Sequence, residues 1–237
     1  MREANERVNI LMKKLSKIWM ISSLLLIIIL SVITSSPLLQ IIAAVCGVVY
    51  VYGTVFENRF GQIFGIVNSL LYGIIMFSNG VYGTCIYDFV YCIPMQIYTF
   101  FTWGKDKQGN NKLKVSKYTD VQRLLIWLVI LIITAIYTIV ATKLNVSFAL
   151  IDGLSIILGI VGLYMTSKKK VEQWHMFIVS NIAMLALWSI KCIENITNIP
   201  MLIMWLVYLV NNIYGLCEWN KKIKKNMEKT SEKNGLI

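Results

Sequence analysis

Eight apolar segments, each 17 to 22 residues long, run through this chain of 237 residues and constrain its fold more than any other feature. A helix of about 20 apolar residues crosses the roughly 30 Å hydrocarbon core of a bilayer. Each segment is therefore long enough to span a membrane as one helix. The segments are 18–34, 38–56, 60–77, 82–103, 124–142, 147–166, 172–190 and 201–219.

The composition agrees with a membrane protein. Hydrophobic residues make up 57% of the chain and charged residues only 15%, whereas a soluble domain carries about 25% charged residues. This excludes a soluble globular enzyme, a disordered chain and a nucleic-acid-binding domain, although a net charge of +11 would otherwise suggest nucleic acid. We therefore expect an all-α membrane protein whose surroundings are the lipid bilayer, with no nucleic-acid partner.

The basic residues give an independent test of the number of spans. Lysine and arginine accumulate in cytoplasmic loops. With eight spans, 21 of the 23 basic residues fall on one side, and only Lys143 and Lys191 fall on the other. We predict eight transmembrane helices in the cell membrane, a bacterial inner membrane, with both termini in the cytoplasm. The first segment follows a basic stretch, as in a signal peptide, but it lacks a small-x-small cleavage site and is expected to stay as a helix.

An internal repeat relates segments two to four to segments six to eight. Phe64 and Asn68 form a Phe-x-x-x-Asn pattern that returns at Phe177 and Asn181. A second pattern consists of an amide residue, Ile and Tyr, then any four residues, and then Trp. It begins at residue 96 and again at residue 212. Because one span separates the two sets of three, both sets have the same orientation in the membrane.

This arrangement predicts an extra N-terminal helix and two parallel three-helix repeats joined by a linker helix. The predicted boundaries are 1–36 for the tail and extra helix, 37–104 for the first repeat, 105–145 for a cytoplasmic loop and the linker helix, 146–220 for the second repeat and 221–237 for a cytoplasmic tail.

Four side-chain amides fall at one predicted depth near the middle of the bilayer. At helical rise, Asn68 and Asn181 lie roughly 13 Å from the cytoplasmic ends of their spans, and Gln96 and Asn212 roughly 10 Å. Polar groups at that depth are costly and mark substrate paths, and amides can both donate and accept hydrogen bonds. We favour substrate contact. Interhelical hydrogen bonding is the alternative, particularly for Asn212.

Aromatic side chains in the same spans offer flat faces on which a heteroaromatic ring can stack, and a cationic ring gains further from the π electrons. The candidates are Tyr72, Tyr98, Trp174, Phe177 and Trp188. Trp103 and Trp219 lie at the predicted cytoplasmic boundary beside lysines, and we expect them in the aromatic belt of the membrane interface.

Three further residues in the spans carry expectations of their own. Pro94 removes a backbone hydrogen bond in mid-span, which predicts a kink and a hinge. Asp88 and Asp152 lie near the outer ends of spans four and six, where we expect an outer vestibule that attracts a cationic substrate. Pairing or helix capping is the alternative for either aspartate. One histidine and five cysteines without a Cys-x-x-Cys pair predict no metal site, and we expect no cofactor and no catalytic residue.

Three motifs stand out between about residues 40 and 221. They are FGIVNSLLY at 64–72, PMQIY at 94–98 followed by Trp103, and EQWHMF at 172–177 followed by Asn181. With these motifs the chain resembles the PnuC family of vitamin transporters over about 40–221. The family's Trp-x-x-Trp-x-x-x-Asn pattern falls on Trp174, Phe177 and Asn181, with phenylalanine in place of the second tryptophan.

The resemblance implies a SWEET-like fold of three plus one plus three helices and facilitated diffusion of a nucleoside-like vitamin. It also implies that phosphorylation by a cytoplasmic kinase sustains uptake. We favour nicotinamide riboside as the substrate, with deoxynucleosides, thiamine and riboflavin as alternatives within the family. A non-transport membrane accessory protein is the alternative from a different class. A membrane enzyme would need clustered acid, base or nucleophilic groups, which the spans lack. The oligomeric state stays open, a homo-oligomer included.

Overall fold

A computed structural model of the protein describes the backbone of residues 2–105 and 114–234, and the side chains of 14–104 and 114–227. Over these ranges the chain is helical, with one isolated β-bridge between Ser116 and Lys170 and no strand. The helices are α1 (Arg2–Ile33), α2 (Leu38–Val55), α3 (Gly61–Ser78), α4 (Tyr82–Tyr87), α5 (Ile93–Lys105), α6 (Asp120–Lys143), α7 (Ala149–Ser167), α8 (Gln173–Glu194) and α9 (Ile199–Asn234), with a π segment at Asp88–Cys92 and a 3-10 turn at Ile196–Asn198.

Seven helices among the described residues are long and apolar enough to cross a membrane. They correspond to seven of the eight segments expected from the sequence, so the all-α membrane fold is confirmed. The remaining segment, 82–103, is helical along its whole length but is divided into α4, the π segment and α5. None of these three pieces alone has the length of a span.

Two helix groups pack side by side with matching contacts. In the first group, α2 packs against α3, and α3 packs against α4, the π segment and α5. In the second group, α7 packs against α8 and α8 against α9. The groups meet along two seams, α2 against α9 and α7 against α4 and α5. Outside them, α1 packs on α2 and α9, and α6 packs on α7.

Small residues allow the closest helix contact in the first group. A Cβ added to Gly53 of α2 would lie 2.8 Å from the Cα of Gly61 in α3, which is too close for any side chain. Because lipid gives no hydrophobic drive between helices, such backbone contact is a main source of attraction in membrane bundles.

A tryptophan cluster closes one end of the bundle. Trp103, Trp174 and Trp219 have at most 1% of their surface exposed, and they pack with Val55, Val115, Val171 and Ile223. The Trp219 indole N–H donates to the carbonyl of Val55 at 3.0 Å. The expectation that Trp103 and Trp219 belong to a lipid-facing belt is therefore wrong, because helices α2, α5, α8 and α9 converge at this end and enclose both rings.

An ion pair joins the two helix groups at the same end. Glu57 follows α2 and Lys169 follows α7, each in the left-handed conformation with φ of 54° and 51°. The Lys169 Nζ lies 3.0 Å from Glu57 Oε2, and Lys222 of α9 lies 2.6 Å from Oε1. Burial disfavours the charged carboxylate, but Lys222 and Lys169 outweigh that effect and lower the pKa of Glu57.

Candidate functional site

A cavity of about 110 Å³ lies where the two helix groups face each other. Its walls carry polar groups from both helix groups and a large aromatic surface. The polar lining consists of Asn68, Ser69, Thr84, Asp88, Gln96, Ser155, Ser180, Asn181 and Asn212. The aromatic lining consists of Tyr50, Tyr72, Tyr87, Phe177, Trp205 and Tyr208.

The four amides expected at one depth all line this cavity, and each comes from a different helix. Asn68 lies on α3, where its Nδ2 donates to the Ala43 carbonyl of α2 at 2.8 Å. Its Oδ1 accepts from the Tyr208 hydroxyl of α9 at 3.3 Å. Asn68 thus joins both helix groups as well as facing the cavity.

Asn181 and Asn212 form a pair across α8 and α9. We assign the Asn181 amide so that both of its atoms find partners. In that orientation its oxygen accepts from Asn212 Nδ2 at 2.7 Å, and its nitrogen donates to the Phe177 carbonyl at 2.9 Å. The interhelical role that the sequence left open for amides is therefore real for this pair, and both residues still border the cavity.

Gln96 is the amide with unused hydrogen-bonding capacity. Its Nε2 donates to the Ser69 hydroxyl at 3.2 Å. Its Oε1 is buried and has no partner among the described residues. Gly65 of α3 makes room for this side chain, because a Cβ there would lie 3.0 Å from the Gln96 amide. The free oxygen is an acceptor available to a ligand.

Two glycines leave room for tyrosines that belong to the opposite helix group. A Cβ on Gly47 of α2 would overlap the Tyr208 hydroxyl, and a Cβ on Gly159 of α7 would overlap the Tyr87 hydroxyl. Both tyrosines line the cavity. Each helix group therefore contributes one glycine that accommodates a tyrosine of the other group.

Tyr72 and Trp188 form one unit, of which only Tyr72 lines the cavity. The Trp188 indole N–H donates to the Tyr72 hydroxyl at 2.8 Å, and the Trp188 side chain is fully buried behind it. Trp205 packs edge-on against Tyr72 with ring centroids 5.8 Å apart. Trp188 therefore positions Tyr72.

Tyr98 and Trp174 lie away from the cavity. Tyr98 is 46% exposed, and the Lys168 ammonium lies 5.9 Å above its ring. Trp174 is buried in the tryptophan cluster, 5.3 Å from the ring of Trp219. We therefore leave both out of the candidate site, whereas Phe177, one turn further along α8, borders the cavity.

The two aspartates have different surroundings and do not form a common vestibule. Asp152 is 1% exposed, and its Oδ1 accepts from the backbone N–H and the hydroxyl of Thr84 at 3.1 and 2.5 Å. The Tyr137 hydroxyl of α6 donates to its other oxygen. Asp152 thus ties α7 to α4 and α6, which is the pairing and capping role. Asp88 instead lines the central cavity.

Pro94 follows directly on an irregular turn. Because Pro94 has no N–H, the carbonyl four residues earlier loses its usual helical partner. The preceding turn is π-helical, and the Ile93 N–H donates to the Asp88 carbonyl five residues back. Short π segments recur at functional sites. The hinge at Pro94 stays a prediction.

Trp205 and Tyr208 border the cavity without having been identified from the sequence. With Asn212 they occupy positions i, i+3 and i+7, which share one face of α9. That spacing was the available signal. Among the described side chains, no three His, Cys, Asp or Glu residues converge as metal ligands.

Comparison with known proteins identifies the family. The family model described as nicotinamide mononucleotide transporter matches residues 37–221. The chain belongs to this family. The resemblance to PnuC proteins is confirmed by a nicotinamide riboside transporter PnuC of Neisseria mucosa, 25% identical over 214 residues that cover 88% of this chain and 81% of that protein.

Two further members of this transporter family agree. The nicotinamide riboside transporter PnuC of Escherichia coli is 18% identical over 179 residues, covering 65% of this chain and 74% of that protein. A crystal structure of the vitamin B3 transporter PnuC has a TM-score of 0.77 and 25% identity, and the match covers 89% of this chain and 92% of that one.

Proposed function

We propose that this chain is a membrane transporter that carries nicotinamide riboside by facilitated diffusion. One observation carries the proposal: four amides from four helices and six aromatic rings converge on one cavity between the two helix groups. Members of its family that are named nicotinamide riboside transporters support the choice of substrate.

The cavity chemistry matches the parts of this substrate. A flat nicotinamide ring can stack between aromatic side chains. The ribose hydroxyls and the carboxamide need both donors and acceptors, which amides supply. The free Oε1 of Gln96 provides an acceptor for a carboxamide N–H or a hydroxyl. We propose Asn68, Tyr72, Gln96, Phe177, Asn181 and Asn212 as substrate contacts, with Trp205 and Tyr208 added.

We further propose eight spans with two parallel repeats, 37–104 and 146–220, and both termini in the cytoplasm of a bacterial inner membrane. The matching contacts within the two helix groups support the repeat. The two glycine–tyrosine contacts across the seams and the left-handed residues after α2 and α7 support it further.

Transport requires the helix groups to move. The cavity of about 110 Å³ is smaller than the roughly 300–1,000 Å³ of typical small-molecule sites. We propose that one group rocks against the other to admit the substrate. The Glu57–Lys169 contact and the tryptophan cluster then close the cytoplasmic side and separate when the cavity opens inward. A cytoplasmic kinase that phosphorylates the substrate would keep net uptake inward.

Uptake into proteoliposomes tests the proposal. The purified chain should accumulate labelled nicotinamide riboside to the external concentration and no further, because no energy source is coupled. Unlabelled nicotinamide riboside should compete more strongly than thymidine, thiamine or riboflavin. Stronger competition by one of those three would transfer the assignment to that substrate, and no uptake of any of them would contradict a transport function.

A further inference from the structure

Asp88 is a buried acid with an unused oxygen that faces the cavity. It is 5% exposed and belongs to the π segment. Cys92, at the other end of the π segment, lines the cavity as well. The Oδ2 atom has no partner among the described residues. A buried carboxylate with one oxygen unpaired is costly unless a ligand completes it.

The rest of the cavity supplies no positive charge. Neither lysine nor arginine nor histidine occurs among the residues described as lining it. The other buried aspartate of the spans, Asp152, has both oxygens occupied by hydroxyl and N–H donors. The contrast indicates that Asp88 is kept for something other than holding helices together.

The backbone around Asp88 is held in place. Gly73 of α3 lies against the π segment, and a Cβ on Gly73 would lie 3.0 Å from the Phe89 ring and 3.4 Å from the Asp88 Cβ. Close contact on one side, together with the wider π turn, directs Asp88 and Cys92 towards the cavity. The π segment therefore presents Asp88 to the cavity from its wall.

We propose that Asp88 is the charge-selecting residue of this site. Its free oxygen faces the positively charged heteroaromatic ring of the substrate and makes the site prefer a cationic nucleoside to a neutral one of the same shape. The inference rests on the proposed function. The aromatic lining acts in the same direction, because cation–π attraction favours a positive ring over a neutral one.

A pair of ligands that differ in ring charge tests this role. Nicotinamide riboside carries a pyridinium cation, and its dihydro form has the same sugar and carboxamide on a neutral ring. In wild-type proteoliposomes the cation should compete with labelled nicotinamide riboside at least about tenfold more strongly than the dihydro form. Asp88→Asn should reduce that ratio to within about threefold of one, mainly by weakening the binding of the cationic form.

Asp152→Asn is the matched control. It removes the same charge from a buried aspartate outside the cavity, so it should lower thermal stability while the cation-to-neutral ratio stays at the wild-type value. If Asp88→Asn does not reach the membrane, Asp88→Ser replaces it in the same measurement. Serine already occurs on the cavity wall at Ser69 and Ser155.

The outcomes separate the two proposals. A wild-type ratio near one, or a ratio that both Asp88 variants retain, overturns the role of Asp88 and leaves the transport proposal standing. If the wild type carries thiamine instead of nicotinamide riboside, the proposed substrate fails. The same ratio, measured for cationic thiamine against neutral thymidine, then decides the role of Asp88.

Discussion

Side-chain amides in this cavity differ in how much of their hydrogen-bonding capacity the protein itself uses. Asn68 is engaged by Ala43 and Tyr208, and Asn181 by Asn212. Gln96 alone among the four has a buried oxygen left without a described partner. Since an unpaired buried acceptor carries a desolvation penalty that a ligand can remove, Gln96 is the amide with most to gain from binding.

Gln96→Ala should therefore weaken nicotinamide riboside binding about tenfold, because one hydrogen bond is worth roughly 0.5–1.5 kcal/mol. The measurement is competition for labelled substrate in proteoliposomes. Gln40→Ala is the control, since Gln40 donates to Asn198 at 2.9 Å and does not line the cavity. It should lower the melting temperature without changing affinity. Equal affinity in wild type and Gln96→Ala would remove Gln96 from the site.

Helix contacts at the seams depend on pairs in which a glycine accommodates a tyrosine of the opposite group. Gly47 of α2 and Tyr208 of α9 form one pair, and Gly159 of α7 and Tyr87 of α4 form the other. At these two contacts no room is left for a further side-chain atom on the glycine, because a Cβ there would overlap the tyrosine hydroxyl.

Gly47→Ala should destabilise the bundle by about 1–3 kcal/mol, the usual effect of overpacking. Its Cβ would overlap the Tyr208 hydroxyl and lie 2.9 Å from Asn68 Nδ2. Gly47→Ala combined with Tyr208→Phe should recover part of the loss, since the hydroxyl is the nearest obstacle. Thermal melts of both single variants and the double variant give the coupling energy. Strict additivity would mean that the two residues do not contact each other.

At the scale of the whole molecule, the two helix groups enclose the cavity and are joined at one end by charges. Glu57, Lys169 and Lys222 come from three separate parts of the chain. They lie at the end of the bundle that also holds the tryptophan cluster. If the groups rock, these contacts are the ones that must break to open that end.

Glu57→Gln should favour the inward-open form. Cys92 lines the cavity, so its reaction with a water-soluble maleimide added from the cytoplasmic side reports opening. The other four cysteines are replaced by alanine so that only Cys92 reacts. The rate should rise several-fold in Glu57→Gln. Glu218→Gln, which removes the exposed pair with Lys221, should leave it unchanged. No increase in either variant would contradict a closing role for Glu57.

The same contact predicts a pH dependence. The pKa of Glu57 is lowered from its ordinary value of 4.5 by Lys222 and Lys169. Its contribution to closure is therefore fully present above that ordinary value and is lost as the pH falls through the lower, folded value. The protein is exposed briefly to graded acid pH in the presence of a reversible thiol blocker, which reacts with Cys92 when that end of the bundle is open. The Cys92 thiol that stays unblocked is then labelled at a reference pH. Labelling should fall with the pH of the acid exposure in wild type and not in Glu57→Gln.

The order of the apolar helices, and seven helices long enough to cross a membrane, followed from the sequence by itself, because bilayer thickness sets the length of a span and hydropathy is a local property. The division of segment 82–103 into three pieces did not follow from it. The sequence also predicted one depth for Asn68, Gln96, Asn181 and Asn212, since helical rise is constant, and all four line the cavity. Sequence motifs also identified the family that the comparisons support.

Only the tertiary structure decided which way each side chain faces. Tyr98 turns outwards and Trp174 enters the tryptophan cluster, whereas Trp205 and Tyr208 face the cavity. Rise along a helix is independent of its neighbours, but rotation about the helix axis is fixed by the helices packed against it. The same reason separates the two aspartates: α4 and α6 occupy both oxygens of Asp152, and the π segment leaves one oxygen of Asp88 free at the cavity.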